Sequence, residues 1–416
     1  MPFAAALSEH PLTAIATGEV CGAILERLGG HPDLVIVFVT LAHGGALEDV
    51  MDTVEAVLHP AVALGAASDS IVGTGREVEG SAAISMWAGR WGPVLPVRIT
   101  TSGGGGGDGA AGDVTFAGIP RALPFEPRAL VLLGDPYSIP GQELLDEVAA
   151  VHPGIPVVGG LASGARGPGG TRLALDGAIY TAGAVGVLIG PGADVVALVS
   201  QGGRPIGRPY VVTEATANIV RELGGKPALA RLDEMAGTLT PTEVKAINDG
   251  GLHLGRVVDE RKPDFGPGDF LLRQILGGDR ETGAIAVNEV LEVGTTVQFH
   301  VRDAAGAHDD LDSLLGRHMA EAVAPGDVAE DGEHGEPEAA LLFTCNGRGM
   351  RFFGVPNHDA ELLSERLGPI PTAGFFAAGE LGPLAGHNEL HSFTASVLLL
   401  RDHRFGGFPG NDVGVG

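Results

Sequence analysis

Residues 34–65 read LVIVFVTLAHGGALEDVMDTVEAVLHPAVALG and contain a strand, a helix and a second strand in succession. The apolar, β-branched run Leu34–Thr40 is typical of a buried strand. Leu47–Leu58 has helical spacing of its apolar residues, and His59 with the following proline ends the helix. Ala61–Leu64 then begins a second strand. The stretch therefore predicts a β-α-β unit.

The same order of elements returns twice along the chain. The second copy comprises Ala129–Leu133, Gln142–Val151 and Pro156–Val158, and the third comprises Ala339–Thr344, Asp359–Leu367 and Pro371–Ala373. Each copy runs into a loop framed by two glycines eight residues apart, at 65–73, 159–167 and 374–382. A further apolar strand follows each loop, at 82–88, 184–189 and 393–400. We interpret this as an α/β fold of repeated β-α-β-loop-β units in mixed sheets, with the loops gathered at one edge of a shared sheet, where α/β folds place ligands. Whether the repeated units share one sheet or form two stays open.

The chain divides into two predicted domains, 30–199 and 200–400. A helix at 12–28 precedes the first domain. The second contains predicted strands at 284–287 and 296–302 and a helix near 309–322. Two stretches rich in glycine, proline or acidic residues, 102–113 and 324–338, are predicted to be linkers or surface loops outside the core.

Composition and charge exclude several classes of partner. The 416 residues include 26 Lys and Arg against 52 Asp and Glu, a formal charge of −26. Without clusters of basic residues, the chain is not expected to bind nucleic acid or an anionic membrane surface. No apolar run is long enough for a membrane span, and the N-terminus lacks the basic start of a signal peptide. The expectation is a cytoplasmic protein.

Short motifs that would indicate a cofactor or metal are incomplete. Gly73-Thr74-Gly75 lacks the third glycine of a dinucleotide fingerprint. Residues 160–164, GLASG, lack the glycine spacing of a nucleophile elbow. In residues 387–391, HNELH, the glutamate comes one position too late for a zincin motif. We therefore expect no cofactor, no metal and no catalytic set, and a ligand-binding or structural role for His391.

Cys345 and several charged residues lie beside turn-forming residues. Cys345 follows a predicted buried strand in CNGRG, and three interpretations stay open: an inert packed thiol, a ligand-lining residue, or a nucleophile with His358 or His391 as base. Arg204, Arg302 and Arg348 stand in similar turns, as do Asp303 and Glu380. If these residues converge, they suit an amino acid or carboxylate. The alternative is that each arginine pairs with an acid and pins a loop.

The chain resembles the FIST proteins, which are built of FIST N-terminal and FIST C-terminal domains. The resemblance covers about residues 30–400 and is carried, in family order, by GAASDSIVGTGREVEG (65–80), PVVGGLASG (156–164), SQGGRPIG (200–207), DFLLRQILG (269–277), HVRDA (300–304), FTCNGRG (343–349), FFAAGELGP (375–383) and LHSFTAS (390–396). It departs at Gly203, where relatives often carry cysteine.

The resemblance implies an intracellular sensory module that binds a small ligand, perhaps an amino acid, and no enzymatic activity. The match consumes the chain, so the expected function is that of a stand-alone sensor with a separate protein signalling partner. The candidate ligand-binding residues are Ser163, Arg204, Arg302, Asp303, Cys345, Asn346, Arg348, Glu380 and His391. In this hypothesis Arg302 and Arg348 hold the ligand's anionic group, and Glu380 or Asp303 holds its amine. The rival hypotheses are an enzyme that depends on Cys345 and an interaction scaffold without a ligand.

Overall fold

The chain forms two compact units. The computed structural model describes residues 2–103, 114–266, 268–323 and 336–402. The first unit lies within Met1–Val199, Leu314–Pro383 and His387–Gly416, and the second is Ser200–Ser313 with the turn Leu384–Gly386. Among the described residues, no helix is both long and apolar enough to cross a bilayer.

The first unit contains three copies of one supersecondary pattern, which we call repeats 1, 2 and 3. Repeat 1 consists of β1 (Phe3–Ser8), α1 (Thr13–Leu28), β2 (Leu34–Thr40), α2 (Leu41–Gly44), α3 (Leu47–Leu58), β3 (Val62–Ser68), β4 (Ser70–Gly73), β5 (Arg76–Glu79) and β6 (Ile84–Gly89). Repeat 2 consists of β7 (Val94–Ser102), β8 (Thr115–Ala117), β9 (Ala129–Gly134), α4 (Gly141–Val151), β10 (Val157–Leu161), β11 (Leu173–Leu175), β12 (Ala178–Tyr180) and β13 (Ala184–Ile189). Repeat 3 begins with β14 (Ala193–Ser200).

The second unit follows β14 in the chain. Its elements are β15 (Gly203–Thr216), β16 (Ile219–Leu223), β17 (Lys226–Pro227), α5 (Ala228–Ala236), α6 (Pro241–Ala246), a π-helical turn (Ile247–Gly251), β18 (Leu252–Val257), β19 (Phe270–Asp279), β20 (Ala284–Val287) and β21 (Thr296–Arg302). They form a sheet in the order β15-β21-β18-β19-β20-β16-β17, with antiparallel pairing along its length.

Repeat 3 resumes after the second unit. It continues with α7 (Ala304–Val323), β22 (Ala339–Cys345), a 3₁₀ turn (Asn346–Arg348), α8 (Met350–Phe353), α9 (His358–Leu367), β23 (Thr372–Ala377), β24 (Glu380–Leu384), β25 (His387–His391) and β26 (Ala395–Asp402). The second unit is therefore inserted in repeat 3: its main segment begins at the last residue of β14 and ends at Ser313, within α7.

Each repeat builds its own sheet around the same three strands. A parallel β-α-β pair is flanked by an antiparallel strand that follows it in the chain, giving the orders β6-β2-β3, β13-β9-β10 and β26-β22-β23. The predicted α/β class with repeated units in mixed sheets is confirmed. The question that the sequence left open, one sheet or two, has a third answer: the repeats form three separate sheets, and each sheet includes strands from another repeat.

The repeats exchange hairpins in a closed cycle. The hairpin β4–β5 of repeat 1 pairs with β23 of repeat 3. The hairpin β11–β12 of repeat 2 pairs with β3 of repeat 1. The strand β24 of repeat 3 pairs with β10 of repeat 2. Most of the predicted loops 65–73 and 374–382 thus belongs to strands, whereas in 159–167 only residues 159–161 do. The exchange ties the three repeats together.

The three sheets share one apolar core. In β2, Leu34, Ile36 and Phe38 face this core, and the alternate residues of the strand face α1 and α3. Such two-sided burial explains the unbroken apolar runs of the sequence. Phe38 meets Phe343 and Phe375 of repeat 3 with ring centroids 6.1 and 5.2 Å away.

The domain limits 30–199 and 200–400 stay a prediction; only the first of the three segments of the first unit ends at Val199. Of the predicted linkers, residues 104–113 and 324–335 lie outside the described residues, and Ser102 ends β7.

Candidate ligand-binding site

The three repeats meet where their second strands end. Ser68 at the end of β3 and Ser163 just after β10 have their hydroxyl oxygens 2.8 Å apart. Both hydroxyls donate to the main-chain carbonyl of Phe376 in β23, at 3.0 Å from Ser68 and 2.5 Å from Ser163. Ser68 is buried, whereas Ser163 is half-buried and accepts the N–H of Asp69 at 3.0 Å. We call this point the junction; it brings one group from each repeat to the carboxyl end of a strand.

A glycine allows the strand segments to approach so closely. A Cβ atom at Gly164 would lie 2.6 Å from the carbonyl oxygen of Ala67, closer than real Cβ contacts come. Any side chain at this position would push repeats 1 and 2 apart at the junction. Gly164 lies within the predicted loop 159–167, although it is not one of the two glycines that frame that loop.

Glu380 and Cys345 are linked to the junction through repeat 3. Glu380 in β24 pairs with Gly160 in β10, three residues before Ser163. Its fully buried carboxylate accepts the N–H and the hydroxyl of Thr394, both at 2.9 Å. The carbonyl of Thr394 in turn accepts the N–H of Cys345 at 3.0 Å. Glu380 therefore fixes the 392–394 loop beside the strand that ends at Cys345.

His391 lies behind the same loop. It is buried, and its Nε2 is 3.0 Å from the carbonyl oxygen of Gly382 in β24. Within the described ranges, no group of three or more His, Cys, Asp and Glu residues is arranged to hold a metal ion. The geometry around His391 is that of a residue that holds β24 and β25 in place.

The turn after β22 offers exposed and half-exposed polar groups. Cys345 is half-buried, and its sulfur accepts the N–H of Gly347 at 3.4 Å. Asn346 is exposed at the start of the 3₁₀ turn. The chain's other cysteine, Cys21, is 2% exposed, and burial raises the pKa of its thiol to about 11. Cys345 is thus the more accessible thiol of the two.

Arg348 closes this turn and points inward. It is 1% exposed, and its Nε and Nη2 donate to the two carboxylate oxygens of Asp359 in α9, each at 2.9 Å. Thr344 donates to the same carboxylate at 2.6 Å, and His358 Nδ1 lies 2.9 Å from it. Burial acts to raise the pKa of Asp359, but Arg348 and these hydrogen bonds hold it below its usual range. This bidentate pair is the loop-pinning alternative left open by the sequence.

Sequence reasoning missed Glu77, which faces the same cluster from β5. Its side chain is 6% exposed and accepts the main-chain N–H groups of Asp359 and Ala360 at 3.0 and 3.1 Å. Burial, followed by the charge on Asp359, raises the pKa of Glu77 to about 8. The stretch REVE shows only a short polar–apolar alternation, so the sequence carries no signal that Glu77 is buried.

The remaining candidate residues belong to the second unit. Arg204 forms ion pairs with Glu243 at 2.5 Å and with Asp303 at 3.3 Å. Asp303 also accepts the N–H of Gly306 at 2.7 Å, at the first turn of α7. Arg302 is 5% exposed, and its Nη2 donates to the carbonyl of Gln201 at 3.2 Å. The structure therefore brings Arg204 and Asp303 together.

Two buried histidines neighbour Arg302 in this sheet. His253 and His300 pair directly across β18 and β21. Burial lowers the pKa of each to about 4, and for His253 the charge of Arg302 acts in the same direction. Both rings are therefore neutral at pH 7, and they fill the interior of the second unit without adding charge.

Comparisons with known proteins identify the family. Residues 33–226 match the FIST N domain and residues 228–383 match the FIST C domain. The uncharacterized protein Rv0628c of Mycobacterium tuberculosis is 42% identical over 406 residues, covering 97% of this chain and all of that protein. The uncharacterized protein Mb0898c of Mycobacterium bovis is 42% identical over 390 residues, covering 93% and 95% of the two chains. FIST domains are associated with sensing and signal transduction. The chain belongs to the FIST family and carries both of its domains in tandem.

Proposed function

We propose that this chain is a cytoplasmic sensor that binds a small polar ligand, an amino acid or a related carboxylate, and signals to a protein partner. The observation that carries the proposal is the junction, where Ser68, Ser163 and Phe376 bring polar groups of three repeats together at strand ends. In α/β folds the carboxyl ends of strands are the usual place for a ligand. The association of the family with sensing supports the same function.

The candidate residues divide into contact groups and supporting groups in this proposal. Ser163, Cys345 and Asn346 are half-buried or exposed and would contact the ligand through a hydroxyl, a thiol and an amide. Glu380, His391 and Arg348 are buried and would hold the surrounding loops. For Arg204, Arg302 and Asp303 of the second unit, a role in ligand binding stays a prediction of the sequence. Ligand binding would act by favouring one of several conformations of the protein.

The geometry of the histidines favours ligand binding over catalysis by Cys345. His391 Nε2 lies 3.0 Å from the Gly382 carbonyl, and His358 Nδ1 lies 2.9 Å from the Asp359 carboxylate. Each candidate base thus already has a structural partner. A general base must be within hydrogen-bond reach of the proton that it removes. The family's association with sensing also suggests a role other than catalysis.

Thermal unfolding against a panel of amino acids and small carboxylates tests this function. A ligand at about a hundredfold excess over Kd stabilises the folded state by about 2.7 kcal/mol, which raises the midpoint by a few degrees. We expect a saturable shift with one ligand class, which Asn346→Ala reduces. Asn288→Ala, at an exposed asparagine of the second unit, is the matched control and should keep the shift. A panel without any shift, using protein stripped of bound ligand, would favour the interaction scaffold instead.

A further inference from the structure

A buried cluster of charged groups lies directly behind the 345–348 turn. Asp359 lies at the centre of the cluster and is fully buried. Its carboxylate accepts hydrogen bonds from Arg348 and Thr344, and His358 Nδ1 lies within hydrogen-bond distance of it. Glu77 belongs to β5. This strand of repeat 1 is part of the sheet of repeat 3, because its partner β4 pairs with β23. The cluster therefore joins the exchanged hairpin, α9 and the turn that carries Cys345 and Asn346.

Glu77 caps α9 from outside the helix. The N-cap residue Asn357 has a positive φ of 60° and makes no capping bond of its own to α9. One oxygen of Glu77 accepts the N–H groups of Asp359 and Ala360, in the first turn of the helix. In return, Asn357 Oδ1 accepts the N–H of Glu77 at 2.9 Å. These reciprocal bonds replace a local cap and fix the side chain of Glu77 close to Asp359.

The second oxygen of Glu77 lacks a comparable set of donors. Its Oε2 is buried and makes no hydrogen bond with any residue that the structure describes. The charged and titratable groups of the surrounding elements are Asp359, His358, Glu361, Glu365 and Arg366 of α9, Arg348 of the 3₁₀ turn, and Glu79 and Arg76 of β5; β4 contributes none. Arg76 pairs with Glu9 at 2.8 Å, and Glu79 accepts the N–H of Met350. Acids thus outnumber the cations around Glu77, and a second buried carboxylate would be poorly compensated.

We propose that Glu77 is a proton-linked positioning residue for the 345–348 turn. While Glu77 is protonated, Arg348 stays on Asp359 and the turn keeps the conformation described above. When Glu77 loses its proton, its carboxylate repels that of the neighbouring Asp359. A displaced Asp359 moves Arg348, which it holds through two hydrogen bonds, and with it the turn that ends at that arginine. The effect on the turn does not depend on a ligand; only its consequence, pH-dependent ligand affinity, rests on the proposed function.

The direction of the titration agrees with this geometry. Burial and the charge of Asp359 raise the pKa of Glu77 to about 8. The proton is therefore exchanged close to physiological pH. Glu77 alone of the two acids titrates there, because its partners hold Asp359 in the ionised form.

A fluorine label on Cys345 tests the proposal without any ligand. Trifluoroacetonyl alkylation of the folded, full-length protein should modify Cys345 and spare Cys21, which is 2% exposed. Once alkylated, the sulfur itself no longer titrates. We expect the ¹⁹F resonance of the labelled wild type to move in one step between about pH 6 and pH 9. Glu77→Gln should abolish the step, because the amide accepts the same helix N–H groups but carries no titrating proton.

Two control variants separate Glu77 from its neighbours. Glu79→Gln removes an exposed acid from the same strand and should keep the step. His358→Gln removes the imidazole that contacts Asp359 and should also keep the step. A step that persists in Glu77→Gln, a step lost in His358→Gln, or a wild-type resonance that does not move would each overturn the proposal. The last two outcomes decide the question even if Glu77→Gln fails to fold.

Discussion

Arg348, a candidate ligand-binding residue by sequence, forms a structural ion pair inside the fold. Its guanidinium and the carboxylate of Asp359 are both fully buried. Removing one partner of such a pair leaves an uncompensated charge and costs about 3–5 kcal/mol. We therefore expect Arg348→Ala to lower the free energy of unfolding by several kcal/mol, measured by chemical denaturation. The double variant Arg348→Met, Asp359→Leu should recover much of the loss, because it removes both charges.

The outcome of that experiment also bears on the ligand. If Arg348→Ala stays within about 1 kcal/mol of the wild type, the ion pair is not structural. The arginine would then be available to hold an anionic group, as the sequence suggested. A large loss of stability assigns Arg348 to the fold.

Glu77 makes a pH-dependent contribution to stability whose sign can be worked out. Folding raises its pKa from 4.5 to about 8, so the folded state keeps a proton that the unfolded chain releases. This contribution is present below about pH 4.5 and is lost as the pH rises towards 8. We expect the stability of the wild type relative to Glu77→Gln to fall with pH in this window, by at most about 1.4 kcal/mol per unit.

The comparison between the two proteins is the measured quantity, because other groups titrate as well. His253 and His300 have pKa values lowered to about 4, so their burial costs stability as the pH falls below about 6.5. These histidines are shared by both proteins and cancel in the difference. A difference that does not change between pH 5 and pH 8 would contradict the protonated state of Glu77.

At the residue level, the sequence indicated the positions of turns better than it indicated which side chains contact each other. CNGRG and LHSFTAS marked the 345–348 turn and the 392–394 loop, which do pack together through Cys345 and Thr394. Asp359 and Glu77 were not among the candidates. A buried carboxylate and an exposed one look alike in a sequence, since their burial depends on which distant element covers them. Glu77 is covered by a helix that lies 280 residues further along the chain.

At the level of elements, the three repeats contain an equivalent glycine whose cost of substitution can be compared. Gly65, Gly159 and Gly374 face Val37, Leu132 and Leu342 on the preceding strand of their repeats. A Cβ at Gly159 or Gly374 would collide with the carbonyl oxygen of that strand, whereas one at Gly65 would lie 3.0 Å away. We expect Gly159→Ala and Gly374→Ala to lose about 1–3 kcal/mol or more, and Gly65→Ala to lose less.

Gly18 provides the matched control for this series. It lies inside α1, and a Cβ there would meet nothing within 4 Å. Gly18→Ala should therefore stabilise the protein by about 0.5–1 kcal/mol through helix propensity. If Gly159→Ala or Gly374→Ala is as stable as Gly18→Ala by denaturation midpoint, the predicted collision at these equivalent positions of the repeats is contradicted.

The elements themselves could be predicted, but their pairing could not. The strand Leu34–Thr40 and the helix Leu47–Leu58 have the bounds that apolar periodicity predicts. The local pattern of apolar residues did not indicate that β4–β5, β11–β12 and β24 are exchanged between repeats. A short strand pairs with whatever edge the tertiary fold brings to it, and periodicity reports only which face is buried.

At the level of the whole molecule, the position of the second unit in the chain suggests that it can be removed. Gly203, the first residue of β15, pairs with Arg302, the last residue of β21, across antiparallel strands that lie about 5 Å apart. Asp310 in α7 accepts the hydroxyl of Ser200 and the N–H of Gly202 at 2.8 and 2.9 Å. We expect a chain in which three glycines replace residues 203–302 to unfold cooperatively, measured by circular dichroism. Failure to fold would show that the insertion is required by the three repeats.

Amide hydrogen exchange of the full-length protein tests the proposed ligand site most directly. The measurement compares the free protein with protein saturated by the ligand that gives the largest thermal shift. We predict slower exchange in 65–73, 159–167 and 343–349, the segments at and next to the junction, and unchanged exchange in 277–287 of the second unit. Protection confined to the second unit, or no protection with a ligand that stabilises the fold, would contradict ligand binding at the junction of the three repeats.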